Sequence, residues 1–158
     1  MKIRSIALAV SLVLAPALLA ADFGIRAGQY RDAKEEFVGV EVVIDAGVLN
    51  INPNIEYSLA DDVTAGSANL DVTVDVGRFS TIVPYLGAGI GLLYLDDDFG
   101  AEETDAVGNL IGGVQFQWAT LKPYAQVKYF RLLEDDDGDS DEIAIAVGLR
   151  FSRARVSS

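Results

Sequence analysis

The stretch IAIAVGLRF, residues 143–151, decides the fold. Ile143, Ile145, Val147, Leu149 and Phe151 fall on one face of an extended chain, and Ala144, Ala146, Gly148 and Arg150 fall on the other, because side chains alternate across a strand. One face is large and apolar. The other is small and carries a single charge. A soluble barrel would bury the large set in a closed core and leave the polar set to water. A membrane barrel would turn the large set to lipid and pack the small and polar set into its lumen. Which solvent lies outside is the question for the rest of the chain.

From Asp22 onward the apolar period is two, and no convincing amphipathic helix interrupts it. The alternation predicts strands over residues 23–30, 37–46, 49–59, 68–77, 83–95, 106–118, 121–130 and 143–151. Pro53 lies inside the third and lacks an amide donor, which predicts a bulge or a missing ladder bond there. In every segment one parity is free of charge. The other carries Arg26, Glu41, Asp45, Glu56, Asp71, Asp75, Lys128 and Arg150. Arginine or lysine on the lipid face at mid-bilayer costs roughly 2–4 kcal/mol, so this segregation is what lipid demands. The glycines at 87, 89 and 91 share the charged parity, where a crowded lumen suits them better than a solvated face does.

Three further patterns agree. The connections after strands one, three, five and seven read as longer and more polar than those after two, four and six, as expected of extracellular loops and periplasmic turns. Those four loops hold eighteen of the 24 acidic residues, with runs at residues 96–98 and 134–142, while Arg78, Lys122, Arg153 and Arg155 lie at the opposite end. Aromatics on the uncharged parity cluster at strand ends: Phe23, Phe116, Trp118 and Phe151 at the periplasmic end, and Tyr57, Tyr94 and Tyr129 at the other. These positions suit two interfacial girdles.

The totals bound the chemistry. With no cysteine, the 158-residue chain has no disulfide and no thiolate metal site, and with no histidine it lacks the commonest general base. Lys2 and Arg4 precede a run apolar but for Ser11, and Ala20 and Ala21 offer a small-residue cleavage point. Residues 1–20 are therefore expected to be a secretory signal peptide and residues 21–158 a single barrel domain. Removing Lys2 and Arg4 takes the net charge from −12 to −14, which disfavours nucleic acid as a partner. Ser58 sits on the inward parity without a histidine to activate it, so no catalytic site is expected. Taking Gly138 as the sixth position of a hand-type calcium loop puts Leu133 first and Ala144 twelfth, so that register fails and only loose divalent binding by the acidic loops is expected.

The whole mature region resembles the small eight-stranded outer-membrane barrels of Gram-negative bacteria, the class of outer membrane protein X and the barrel domain of outer membrane protein A. The segment PYLGAGIG, residues 84–91, is similar to one frequent in that family, and the alternation ending at Phe151 resembles the signal read by the barrel-assembly machinery. The resemblance implies an all-β fold: an eight-stranded antiparallel up-and-down transmembrane β-barrel preceded by a signal peptide, monomeric and located in the cell outer membrane. Its expected partners are outer-membrane lipid and lipopolysaccharide, the assembly machinery, and divalent cations at the acidic loops, with no cofactor. An eight-stranded interior is just wide enough for side chains to fill it. Arg26, Glu41, Glu56, Asp71, Asp75, Lys128 and Arg150 are accordingly expected to form a charge network inside it. The expected role is non-enzymatic, structural or surface-interacting. The alternatives are a narrow ion channel, and a soluble periplasmic barrel that binds an apolar ligand.

Overall fold

A computed structural model describes residues 21–60, 63–97, 102–133 and 141–152. The expected signal peptide lies outside them. Eight strands run in chain order: β1 (Asp22–Tyr30), β2 (Glu35–Ala46), β3 (Leu49–Ser58), β4 (Val63–Asp75), β5 (Ile82–Asp97), β6 (Glu102–Phe116), β7 (Leu121–Leu132) and β8 (Asp141–Phe151). Each pairs antiparallel with its sequence neighbour, and β8 closes on β1. The ladder therefore has no free side along the barrel wall, which is what a bilayer requires of a sheet.

Following the register once around gives the stagger. Asp22 stands opposite Val43, the register continues through Asn52, Asp71, Gly89, Asn109, Phe130 and Glu142, and it returns to β1 at position 32. The shear is thus ten residues. With strands roughly 4.8 Å apart and a rise of roughly 3.3 Å per residue, it sets a tilt of roughly 40° and a barrel radius of roughly 8 Å.

The two faces divide as the alternation predicts. Ile25, Val40, Ile55, Leu70, Leu86, Ile90, Leu110 and Val147 are exposed, while Arg26, Glu41, Glu56, Asp71, Lys128 and Arg150 are buried. The apolar set is outside. Pro53 stays in register with Leu70 on β4, but on its other side the β2–β3 pairing lapses at Val42 and Val43, opposite Pro53 and Asn52. The missing-bond expectation fits and no bulge forms.

The strands are longer than the hydrophobic alternation implies. β4 begins at Val63 and β6 at Glu102, where a loop was expected. Asp96, Asp97, Glu102, Glu103 and Asp105 consequently belong to strands. Above the lipid both faces are wet, so the apolar period fades while backbone pairing continues. This also corrects the expected alternation of connection lengths. Four residues separate β1 from β2 and four separate β3 from β4, but six separate β4 from β5. The asymmetry between the two ends lies in strand overhang and charge: among the described strand residues, charges on the outward parity, such as Glu36, Arg131 and Asp141, occur only near the extracellular strand ends. At the opposite end, the Phe79–Ile82 and Trp118–Leu121 turns place Ser80 and Ala119 at positive φ, and Gly47 (φ 87°) takes that conformation between β2 and β3.

Candidate functional site

The lumen holds an alternating chain of six charges. Arg150 Nε donates to Glu41 Oε1 at 2.9 Å, and Arg26 Nη2 lies 3.9 Å from the other oxygen of Glu41. Arg26 Nη1 stands 3.3 Å from Glu56 Oε1, which is 3.8 Å from Lys128 Nζ. Lys128 Nζ in turn donates to Asp71 Oδ2 at 2.8 Å. The order is plus, minus, plus, minus, plus, minus, so the chain is neutral, and all six side chains are buried. Its members come from β8, β2, β1, β3, β7 and β4, so it ties together six of the eight strands.

Neutral polar side chains complete the carboxylates. Asn52 Nδ2 donates to Glu41 at 2.6 Å, Asn54 Nδ2 to Asp71 Oδ2 at 2.8 Å, and the Tyr30 hydroxyl to Glu56 Oε2 at 2.8 Å. Arg150 also donates to Gln115 at 2.8 Å, and its guanidinium lies 4.1 Å from the ring centroid of Tyr124. The other two strands supply space, the Gln115 and Asn109 amides of β6, and the Tyr85 ring of β5, 5.5 Å from the Arg150 guanidinium. β5 faces the chain with glycine, and a Cβ at Gly89 would collide with Asp71 Oδ1 and lie 2.9 Å from Asn109 Oδ1. A Cβ at Gly148 would stand 2.5 Å from the Tyr124 ring. The glycine rows are therefore the room that the polar side chains occupy.

Six of the seven residues expected in the network are brought together. Asp75 is not: it ends β4 at the periplasmic mouth, exposed, with Asn50 Nδ2 3.5 Å from its carboxylate. Inward parity places a side chain in the lumen only while the barrel continues beyond it, and at the mouth it meets solvent. Asp45 is exposed for the same reason and accepts from the Gly47 amide at 2.9 Å. Ser58 is buried at the extracellular mouth and donates to Glu35 at 3.0 Å.

Above the ionic chain lies a part of the lumen that the alternation did not single out. Phe37, Val107, Phe130, Ala144 and Ala146 form a buried apolar cluster, with Tyr30, Leu93 and Leu132 packed against it. The Tyr30 and Phe37 ring centroids are 4.7 Å apart, and those of Tyr30 and Phe130 6.1 Å. Their inward parity was the available signal, but aromatics at strand ends read equally as girdle residues. Chemically, the arrangement is an ion-paired plug with an apolar cap on its extracellular side. Among the described residues no three acidic side chains gather to hold a metal. Of the acidic run at residues 134–142, only Asp141 and Glu142 are described. Glu142 accepts from the Asp32 and Ala33 amides at 2.9 and 3.1 Å, and Asp141 lies 4.0 Å from Arg131.

No family model and no curated protein matches the sequence. Solved structures do. The chain is similar to neisserial surface protein A, with a TM-score of 0.65 at 16% identity over 84% of this chain and 94% of that one. It is similar more distantly to Ail, the attachment invasion locus protein of Yersinia pestis, solved with the heparin analogue sucrose octasulfate: TM-score 0.48, 13% identity, 83% of this chain and 96% of that one. At such identities the first likeness speaks for the fold alone, which is that of the small eight-stranded outer-membrane barrels. A closed wall that is apolar outside and ion-paired inside is what a lipid bilayer requires.

Proposed function

We propose that this protein is a monomeric, non-enzymatic, non-conducting outer-membrane barrel that works through its acidic extracellular end. One observation carries the reading: the lumen is filled. The neutral six-charge chain occupies its middle and the Phe37–Phe130 cluster closes it above, so the wall contacts lipid and the extracellular end is the surface left for other partners. Exposed acids there include Asp32, Glu36, Glu103 and Asp141. Like charge would repel lipopolysaccharide phosphates, so divalent cations bridge the two. The assembly machinery inserts the chain through its last strand. The absence of histidine, and the donation of the Ser58 hydroxyl to Glu35, support a non-enzymatic role.

Gel mobility of the outer-membrane fraction tests the barrel. A folded closed ladder resists SDS until it is heated, so the band should shift on boiling; a heat-insensitive band in the soluble periplasmic fraction would overturn the reading. Planar bilayers test the plug: a filled lumen predicts no discrete conductance steps. Loop protease sensitivity with and without magnesium tests the cation bridge, and an unchanged cleavage rate would remove it.

A further inference from the structure

The outer wall is not uniform. A groove of about 890 Å³ crosses it over β7, β8, β1, β2 and β3. The register explains its course. Pro123, Leu149, Ile25, Val40 and Ile55 lie on one hydrogen-bonding row, and Val147, Ala27, Val38 and Tyr57 lie on the next. Ala27 is the low point between Val38 and Val147. The row spans four strand spacings, roughly 19 Å, and the strand tilt inclines it from Pro123 near the periplasmic end to Tyr57 near the extracellular end.

We propose that this groove retains one acyl chain of a membrane lipid, with the half-exposed Tyr57 at the headgroup end. The inference rests on the outer-membrane reading above. Three observations support this occupant. The groove is continuous with the apolar wall, so hydrocarbon is what abuts it. Its run of roughly 19 Å is long enough to seat one acyl chain, which fills a leaflet of about 15 Å in the ~30 Å core. Tyrosine favours the boundary where one end is apolar and the other wet, so the Tyr57 ring lines the groove while its hydroxyl can reach the lipid headgroup. A chain lying between two rows of side chains is touched on both flanks, which a chain on a flat wall is not, and dispersion summed over those contacts holds it.

The test is native mass spectrometry of the mature chain released from micelles containing palmitoyl-oleoyl phosphatidylethanolamine. The unaltered protein is expected to carry one lipid. Ala27→Leu fills the low point and should cut the lipid-bound fraction about fivefold, since the added carbons take the place of the chain's own contacts. Ala88→Leu enlarges an outward alanine away from the groove and should leave that fraction unchanged. Equal retention by Ala27→Leu and the unaltered chain would overturn the site, as would equal loss in both variants. A dimer that Ala27→Leu dissolves, with lipid retention unchanged, would assign the groove to a second copy instead. Heat-shift gels run on the same samples separate the two readings: if the unaltered chain shows no shift, the membrane barrel falls and this site with it, whereas a normal shift without bound lipid removes the site alone.

Discussion

The middle of the lumen and its extracellular end are built from the same parity of the same strands, yet they solve the problem of an enclosed interior in opposite ways. The middle is charged and gains its stability from pairing: three cations and three carboxylates alternate, and each faces an opposite charge. The upper end is apolar and gains its stability from contact among Phe37, Phe130, Val107 and the small Ala144 and Ala146. A charged interior fails abruptly when one partner is lost, because an unpaired buried ion remains. An apolar interior loses only what the missing carbons contributed. The extracellular end faces water and must exclude it; the middle, sealed by that exclusion, can hold ion pairs at short range.

The sharpest way to break this contrast is Glu41→Gln. The change keeps the shape and removes the carboxylate that Arg150 and Arg26 share. Removing one partner of a buried pair typically costs about 3–5 kcal/mol, and a loss in that range is expected in the urea midpoint of the heat-shiftable form in lipid vesicles. A loss below about 1 kcal/mol would mean that the arginines are neutralised from elsewhere, and the middle would then be as forgiving as the end. Phe37→Ala probes the other region. Truncating a buried phenylalanine costs roughly 3 kcal/mol where the site cannot collapse, and here it also opens the cap. The same midpoint measures the stability, and planar bilayers should show conductance events that the unaltered barrel lacks. Silence in the bilayer would place the seal in the ionic chain instead.

Tyr30 joins the two regions. Its ring packs on Phe37, and its hydroxyl donates to Glu56 at 2.8 Å. Tyr30→Phe keeps the first contact and deletes the second. A hydrogen bond to a charged group contributes about 1.5–3 kcal/mol, and the lower part of that range is expected because Ser67 also faces the same oxygen, at 3.4 Å. If Tyr30→Phe cost as much as Glu41→Gln, the two regions would be one cooperative unit and the contrast would dissolve.

How much of this could be read from the sequence follows from what alternation encodes. It encodes parity, and parity separated Arg26, Glu41, Glu56, Asp71, Lys128 and Arg150 from the lipid face. It does not encode shear. That Arg150 meets Glu41, 109 positions away, depends on the ten-residue stagger, which no local pattern carries. Nor does it encode depth. Asp75 has the right parity at a mouth where parity no longer means burial, and Phe37 and Phe130 have the right parity at strand ends where aromatics of either parity are common. The upper parts of β4 and β6 were illegible for a related reason: once both faces are wet, nothing in the residue types separates a paired strand from a loop.

The smallest expected effect is the most diagnostic of where the ionic chain ends. Asn109 is buried beside Asp71, across Gly89, and neither atom of its amide has a hydrogen-bond partner among the described residues. Asp71 Oδ1 is in the same position. Buried polar groups are generally satisfied, and an amide left without a partner costs about 1–3 kcal/mol in desolvation. Asn109→Leu replaces the amide with an apolar group of similar length. The exchange removes the unpartnered amide and leaves Asp71 held by Lys128 and Asn54 through Oδ2, so the stability change should lie within about 1 kcal/mol of zero. A loss approaching that of Glu41→Gln would mean that Asn109 is a working member of the ionic chain and that the chain extends through β6. A clear gain would mean that the unpartnered amide is strained as it stands, and that the middle of the lumen, like its upper end, is better built from carbon at this one position.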